Sequence, residues 1–453
     1  MKVTFVVPHI GRKNKKEYVR TWQMEPLAFA MLAGITPPDV EIKLYDERLE
    51  DIDFDDPTDL VGINVETYTA KRGYEISAEF RKRGVPVVFG GYQAALIPDE
   101  VSHYGDSVVV GPAEGAWEEL LGDLKTVGKL KPFYKRLQDQ PMRFAMPRRD
   151  IFESKPYFNI ACVETGRGCP LRCNFCSIAA ATKSTFIRRP IPEIVQEIEL
   201  SGRKDIFFVD DNIIGSIRTA KELFRALKPL NIRWVSQGTV NMAKDDELLS
   251  LMVESGCKGV LIGFESFKES TLRLMDKGVN IVIGDYEKAV AKIHGYGLGI
   301  YGTFIFGYDT ETLEDIQYTT ERAIEMKLYI GAFNHLLPLP GTPLYREFEE
   351  AGKLRYKKWW LSPEFRYNEI PFNPKNCTHE ELRKACFEAR KKFYGFPAIL
   401  RRFNPSVVLS SAKMTATYFG LNLLLKKEID QKNDLPLGNE PYEPVPIEEV
   451  AYV

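Results

Sequence analysis

The sequence predicts an α/β chain: a doubly wound parallel sheet at the N-terminus, a partial (β/α)6 barrel after it, and a helical region at the C-terminus. Two patterns and one motif carry that prediction. From residue 1 to about 129, short apolar runs alternate with helical stretches, as expected of a parallel sheet wound with helices. From residue 161 the alternation resumes through six more strands. Directly after the first of these lies Gly168-Cys-Pro-Leu-Arg-Cys-Asn-Phe-Cys-Ser177, which spaces Cys169, Cys173 and Cys176 as CxxxCxxC in a glycine-bounded loop.

In chain order, the first strands are expected at 3–7, 41–45, 60–63, 86–89 and 107–110, with helices at 26–34, 68–83, 93–104 and 113–124 between and after them. Gly90, Gly91 and Gly111 follow strand ends. Ligands of such sheets bind beyond the carboxyl ends of the strands, so these loops are expected to wall a site. Residues 131–155 are rich in Pro, Arg and Lys without periodicity and read as a linker. Barrel strands follow at 161–165, 206–209, 232–236, 259–264, 299–306 and 331–337, with a site expected at their C-terminal ends. The expected division is 1–130, the linker, a barrel at 156–355, a helical region at 356–434 and a disordered, proline-rich, acidic tail at 435–453.

Composition narrows the function. The 453 residues suggest roughly three domains, and 44% hydrophobic with 27% charged residues is ordinary for a globular protein. A formal net charge of -2 without a long basic run argues against nucleic acid as a partner; the short run at 12–16 reads as a solvated loop. No apolar run is long enough to span a bilayer, and the first eight residues read as a buried strand rather than a targeting sequence. The GxGxxG and GxxxxGK[ST] phosphate loops are absent, which removes nucleotide hydrolysis and ordinary dehydrogenase chemistry.

Three cysteines in one loop suit few chemistries. Zinc asks for a second CxxC or paired histidines, whereas Cys162, Cys257, Cys377 and Cys386 form no CxxC and the five histidines are scattered. Disulfides are disfavoured with seven cysteines and no secretory signal, which points to a reducing cytoplasm. An iron–sulfur cluster normally takes four cysteines. A three-cysteine loop therefore leaves one iron open to another ligand.

That motif resembles the radical S-adenosylmethionine (SAM) enzymes, in which the open iron of a [4Fe-4S] cluster chelates SAM and an electron from the cluster yields a 5′-deoxyadenosyl radical. The resemblance implies Cys169, Cys173 and Cys176 as cluster ligands and Phe175 near the adenine. It extends along the barrel. Asp210-Asp211-Asn212 ends the second strand, where the family places groups near the SAM amino end or a substrate; the same residues would also suit a turn and helix cap. Gln237 ends the third strand and is expected to reach SAM or substrate. Glu265, in Gly263-Phe-Glu-Ser266, matches the glutamate that bonds the SAM ribose. Phe306, in Phe304-Ile-Phe-Gly-Tyr-Asp309, is expected against adenine, although a buried strand alone would explain it. Pro338-Leu-Pro-Gly-Thr-Pro-Leu-Tyr345 resembles a phrase of cobalamin-associated and methylthio-type members.

The N-terminal domain resembles the cobalamin-binding domain that precedes many radical SAM modules, on Asp59-Leu-Val-Gly-Ile63, Val88-Phe-Gly-Gly91 and Val110-Gly-Pro-Ala-Glu114. This implies cobalamin contacts at Gly62, Gly90, Gly91 and Gly111. One departure matters: Arg48 and Asp51 stand where the DxHxxG motif has its cobalt-binding histidine and its glycine. The C-terminal stretches 393–402 and 418–427 are apolar with basic flanks, a pattern that fits core packing, a greasy lid or peripheral membrane contact. Similar tails occur in relatives acting on hopanoids and bacteriochlorophylls.

Together these readings lead to an expected function: cobalamin-dependent C-methylation of an unactivated carbon in a small hydrophobic metabolite, with a flavodoxin- or ferredoxin-type electron donor. Two rivals stand beside it. One is a radical SAM enzyme with a degenerate cobalamin domain performing rearrangement, cyclisation, oxidation or transfer of another SAM fragment. The other is a non-catalytic iron–sulfur or cobalamin sensor.

Overall fold

The computed structural model of the chain describes residues 1–12, 18–136 and 142–439. Its first sheet comprises β1 (Lys2–Val7), β2 (Glu41–Asp46), β3 (Leu60–Asn64), β4 (Val87–Gly90), β5 (Ser107–Val109) and β6 (Phe133–Tyr134). The order is β2-β1-β3-β4-β5-β6, all parallel. The direction of winding reverses between β1 and β3, which opens a crevice at their carboxyl ends. Alternate residues serve the two faces. Phe5, Phe29 and Trp117 pack under the helices Leu27–Ile35 and Ala116–Thr126, while Val61, Ile63 and Phe89 pack with Tyr74 and Phe80 of the helix Ala70–Lys82.

The second sheet comprises β7 (Ala161–Val163), β10 (Asp205–Phe208), β11 (Arg233–Gly238), β12 (Cys257–Glu265), β13 (Gly299–Phe306) and β14 (Ile330–His335), six parallel strands laid side by side in chain order. Between β7 and β10, a short antiparallel hairpin of β8 (Gly166–Gly168) and β9 (Phe186–Arg188) brackets the cysteine loop. On the helix-facing side an aromatic stack of Phe264, Phe304, Phe333 and Phe393 crosses three strands to the helix His379–Phe393, at successive centroid distances of 5.7, 5.4 and 5.1 Å. Burying each such ring contributes roughly 1.5–3 kcal/mol. The inner face is different: Val235 is 41% exposed and Asn334 is exposed, so the lumen is hollow rather than packed.

Four expectations change. The helix expected at 93–104 is two, Tyr92–Leu96 and Pro98–Ser102, because Pro98 holds Ile97 out of the helical region. The expected linker contributes β6, two residues long and too short to show a period. In the expected helical region, residues 356–378 form turns that drive Trp359, Trp360 and Phe365 into the first sheet's core, and helix begins at His379. The tail expected to be disordered from Leu435 starts as packed chain: Leu435 and Leu437 are buried, and Gly438 N–H donates to the Ile10 carbonyl at 2.9 Å. Residues 440–453 of that tail, and 13–16 of the basic run, lie outside the described residues. Of the apolar C-terminal stretches, Ile399 and Tyr418 are core, whereas Phe396 and Leu400 are exposed. No helix among the described residues is long and apolar enough to cross a membrane.

Candidate functional site

The cysteine loop is pinned from several directions. Gly168 has φ +87°, and a Cβ there would lie 2.2 Å from the Thr185 carbonyl oxygen, so only glycine fits at the loop's entrance. Its N–H donates to Asp211 Oδ2 at 2.9 Å. Asn174, between the second and third cysteines, is a hub. Its side-chain Nδ2 donates to the Leu274 carbonyl at 2.9 Å, its Oδ1 accepts from the Tyr308 hydroxyl at 2.9 Å, and its backbone joins Met275 and Leu344. The segments following β12, β13 and β14 thus converge on one loop residue.

Cys173 is buried, while Cys169 and Cys176 are partly accessible. Burial pushes the Cys173 thiol up to about 11, and the Lys277 ammonium opposes that shift. Burial also raises Cys176, against which the backbone N–H groups of Ile178 and Ala179 and then Lys277 act. Among the described residues no three His, Cys, Asp or Glu side chains are grouped to hold one metal ion. A four-iron cluster makes a different demand, one thiolate at each of three corners. The neighbouring Lys277 and amide N–H groups suit such thiolates.

Sequence reasoning missed Lys277, which carries no local signal. It is buried and donates to Glu265 Oε1 at 3.0 Å. Glu265 itself has φ +62° at an irregularity of the β12–β13 pairing, a strained conformation for a residue with a side chain. A Cβ on Gly263 would sit 2.1 Å from Glu265 Oε1, so that glycine makes room for the carboxylate.

The Asp210-Asp211-Asn212 turn faces the cysteine loop more than the lumen. Asp210 is buried, accepts from Thr165 N and Oγ1 at 3.2 and 2.8 Å, and is pushed up to about 7 by burial. Asp211 holds Gly168, and Asn212 Nδ2 lies 3.7 Å from Cys169 Sγ. Asp210 is thereby engaged inside the protein rather than offered to a ligand. Phe175 is half-buried against the barrel core. Gln237 alternates with buried Ser236 and takes the lumen side. Phe306 is corrected: strand parity puts it, fully buried, in the helix-facing core, and Ile305 is the lumen-facing neighbour.

Between the first sheet's carboxyl strand ends and the residues flanking the cysteine loop lies a cavity of about 430 Å³. Gly62, Gly90, Gly91 and Gly111 all line it, together with Arg167, Thr182 and Val209 from the second sheet's side. A Cβ added to Gly90 or Gly111 would meet no atom within 4 Å, so both glycines present bare backbone to open space. Among the described residues no histidine lines this cavity. Arg48, at the expected histidine position, is instead chelated by Asp46 at 2.6–3.2 Å. The two walls are clamped by Arg167, which pairs with Glu114 at 3.1 Å and Glu164 at 2.8 Å, and by packing of the helix Tyr92–Leu96 on the helix Ser177–Thr182. Arg167 directly precedes the glycine of the cysteine loop, a position that was visible in the sequence.

The profile of the radical SAM superfamily matches residues 163–323. Bacteriochlorophyllide d C-12(1)-methyltransferase of Chlorobaculum tepidum is 30% identical over 390 residues, 83% of this chain and 84% of its own. The chain belongs to the radical SAM superfamily. Hopanoid C-2 methylase of Rhodopseudomonas palustris is 25% identical over 73% of this radical SAM chain and 65% of its own. Among solved structures, the radical SAM methyltransferase TsrM of Kitasatospora setae with cobalamin and a [4Fe-4S] cluster bound has a TM-score of 0.65 at 17% identity, over 95% of this chain and 99% of that one. That likeness establishes a shared fold across both sheets.

Proposed function

We propose that the protein is a cobalamin-dependent radical SAM methyltransferase that acts on an unactivated carbon of a hydrophobic small molecule. The observation that carries this reading is that the glycine-lined cavity takes its second wall from residues on either side of the cysteine loop, Arg167 before it and Ala181 and Thr182 after it. Such a site brings together a group that abstracts hydrogen and a group that delivers methyl. Bound there, the cluster with SAM supplies a 5′-deoxyadenosyl radical and cobalamin supplies a transferable methyl group.

The chain's own residues bind and position. Cys169, Cys173 and Cys176 hold the cluster, with Lys277 balancing their charge. Glu265 takes the SAM ribose, and Phe175, Gln237 and Ile305 surround the nucleoside. Gly62, Gly90, Gly91 and Gly111 would let a corrin approach the backbone, and among the described residues no histidine lines the cavity. A flavodoxin- or ferredoxin-type protein supplies the electron. The hollow inner face of the barrel receives the substrate, and the relatives named above make bacteriochlorophyllide d a first compound to try.

The test uses anaerobically reconstituted protein, a reductant, cobalamin and SAM labelled in its methyl group. Label in the product, with S-adenosylhomocysteine and 5′-deoxyadenosine both formed, is the expected result. Formation of 5′-deoxyadenosine with an unlabelled product, or full turnover without cobalamin, would instead favour the degenerate-domain enzyme.

A further inference from the structure

The C-terminal stretches that combine apolar residues with basic flanks present a single outward face. Between Glu388 and Glu428 the chain holds eight Lys or Arg and no Asp or Glu, although its formal net charge is -2. In the helix Phe396–Arg401, Ala398 and Ile399 turn inward, while Phe396 and Leu400, four residues apart, are 59% and 67% exposed. In the helix Ala412–Lys432 the outward stripe is Ala412, Ala416, Phe419, Leu423 and Lys427, at the spacing of one helix face. It carries no charge until Lys427. Leu409, in the turn before this helix, is 60% exposed.

The two helices pass each other antiparallel. Lys426 Nζ lies 3.6 Å from the Phe396 ring centroid, Arg402 donates to Asn422 Oδ1 at 2.7 Å, and the Phe403 and Phe419 rings stack at 6.3 Å. Isolated exposed apolar residues are ordinary, whereas a contiguous group with a polar rim marks an interaction surface. Here the rim is cationic. Lys413 pairs with Asp205, Lys391 with Asp430, and Lys392 and Arg401 share Glu321. Among the described residues Lys426 and Lys427 pair with no carboxylate. Six cations thus meet three carboxylates, which leaves the face positive.

Position in the fold narrows the occupant. Tyr329, just before β14, donates its hydroxyl to the Met414 carbonyl at 2.7 Å, and Asp205, which Lys413 holds, is the first residue of β10. The face therefore lies by the amino ends of the barrel strands, whereas the cysteine loop follows the carboxyl end of β7. An electron donor docked there would stand a strand's length from the cluster. A second copy bound face to face would set cations against cations. A polynucleotide would meet the cations and leave Phe396, Leu400, Leu409, Phe419 and Leu423 unmatched. An anionic bilayer meets both sets, because apolar tips enter the acyl boundary while lysines reach the lipid phosphates.

We propose that this face rests on the surface of a bilayer containing anionic phospholipid. The contact is peripheral and independent of the methyltransferase reading.

The test is co-sedimentation of the full chain, loaded with its cluster, with vesicles of phosphatidylcholine alone or with about one third phosphatidylglycerol. Wild type should bind the anionic vesicles at least about tenfold more tightly than the neutral ones, and less tightly as salt is raised. Lys426→Gln with Lys427→Gln should weaken that binding roughly thirtyfold, the combined worth of two lysines near a charged surface. Leu400→Ser with Leu423→Ser should weaken it about a hundredfold through lost apolar burial. Neither pair lies in the core, so melting temperature and iron content should match wild type in both. Failure to sediment with anionic vesicles, equal affinity for neutral ones, or affinity unchanged in either double variant would overturn the proposal. So would self-association of the free chain that Leu400→Ser with Leu423→Ser abolishes, or an oligonucleotide bound more tightly than the anionic vesicles.

Discussion

Glu265 holds a left-handed backbone conformation, rests its carboxylate over Gly263 and pairs with buried Lys277. Strain of this kind costs on the order of 1–3 kcal/mol and persists where the surroundings enforce it. Removing one partner of a buried pair costs about 3–5 kcal/mol, because the other charge is left uncompensated, whereas removing both is far milder. Lys277→Met should therefore lower the melting temperature strongly, and Glu265→Gln combined with Lys277→Met should recover much of it. SAM affinity should not recover with stability. Loss of a charge-assisted hydrogen bond to a hydroxyl is worth roughly 1.5–3 kcal/mol, so the double variant should bind SAM about ten- to a hundredfold more weakly per cluster assembled. Isothermal titration beside thermal unfolding separates the two effects, and wild-type SAM affinity in the double variant would contradict the role given to Glu265. Lys277 was not legible beforehand because nothing in its local sequence announces it; only the fold brings it to the cysteines. Phe306 was misread for the opposite reason, since a motif named the strand but strand parity decides which neighbour faces the lumen.

At the scale of elements, the strands were legible because each is a short apolar run bounded by turn residues, and the glycine loops because backbone must approach a ligand where a strand ends. β6 was not, since two residues carry no period. The packed start of the tail was hidden by its prolines, although Leu435 and Leu437 bury apolar side chains beside them. The glycine loops also permit a clean perturbation. Gly91 and Gly111 have positive φ, so any side chain there strains the backbone, but Gly90 does not. A Gly90 substituent would meet only the open cavity. Gly90→Leu should leave the melting temperature within a degree or two of wild type while intruding on the corrin. Overpacking against a ligand costs about 1–3 kcal/mol, or roughly ten- to a hundredfold in cobalamin affinity. Unchanged affinity in an absorbance titration would place the corrin elsewhere.

Across the whole molecule, the carboxyl strand ends of the first sheet share a cavity with Glu164, Arg167, Thr182 and Val209 of the second unit, and Arg167 ties Glu114 to Glu164 across the join. The C-terminal turns and helices complete both units: Trp359 and Trp360 enter the first core, and Phe393 ends the aromatic stack of the second. This architecture makes the cavity a shared site rather than a groove of one unit. The central claim is that cobalamin occupies it with no protein imidazole on cobalt, since no histidine is among its lining residues that the structure describes. The direct test is to load the protein with cobalamin, reduce the cobalt to the paramagnetic cobalt(II) state, and record its electron paramagnetic resonance spectrum alongside the cobalt content. One cobalamin per chain, with no nitrogen splitting of the cobalt lines that histidine substitution removes, is the predicted result; failure to bind cobalamin, or a nitrogen triplet that histidine substitution removes, would contradict it.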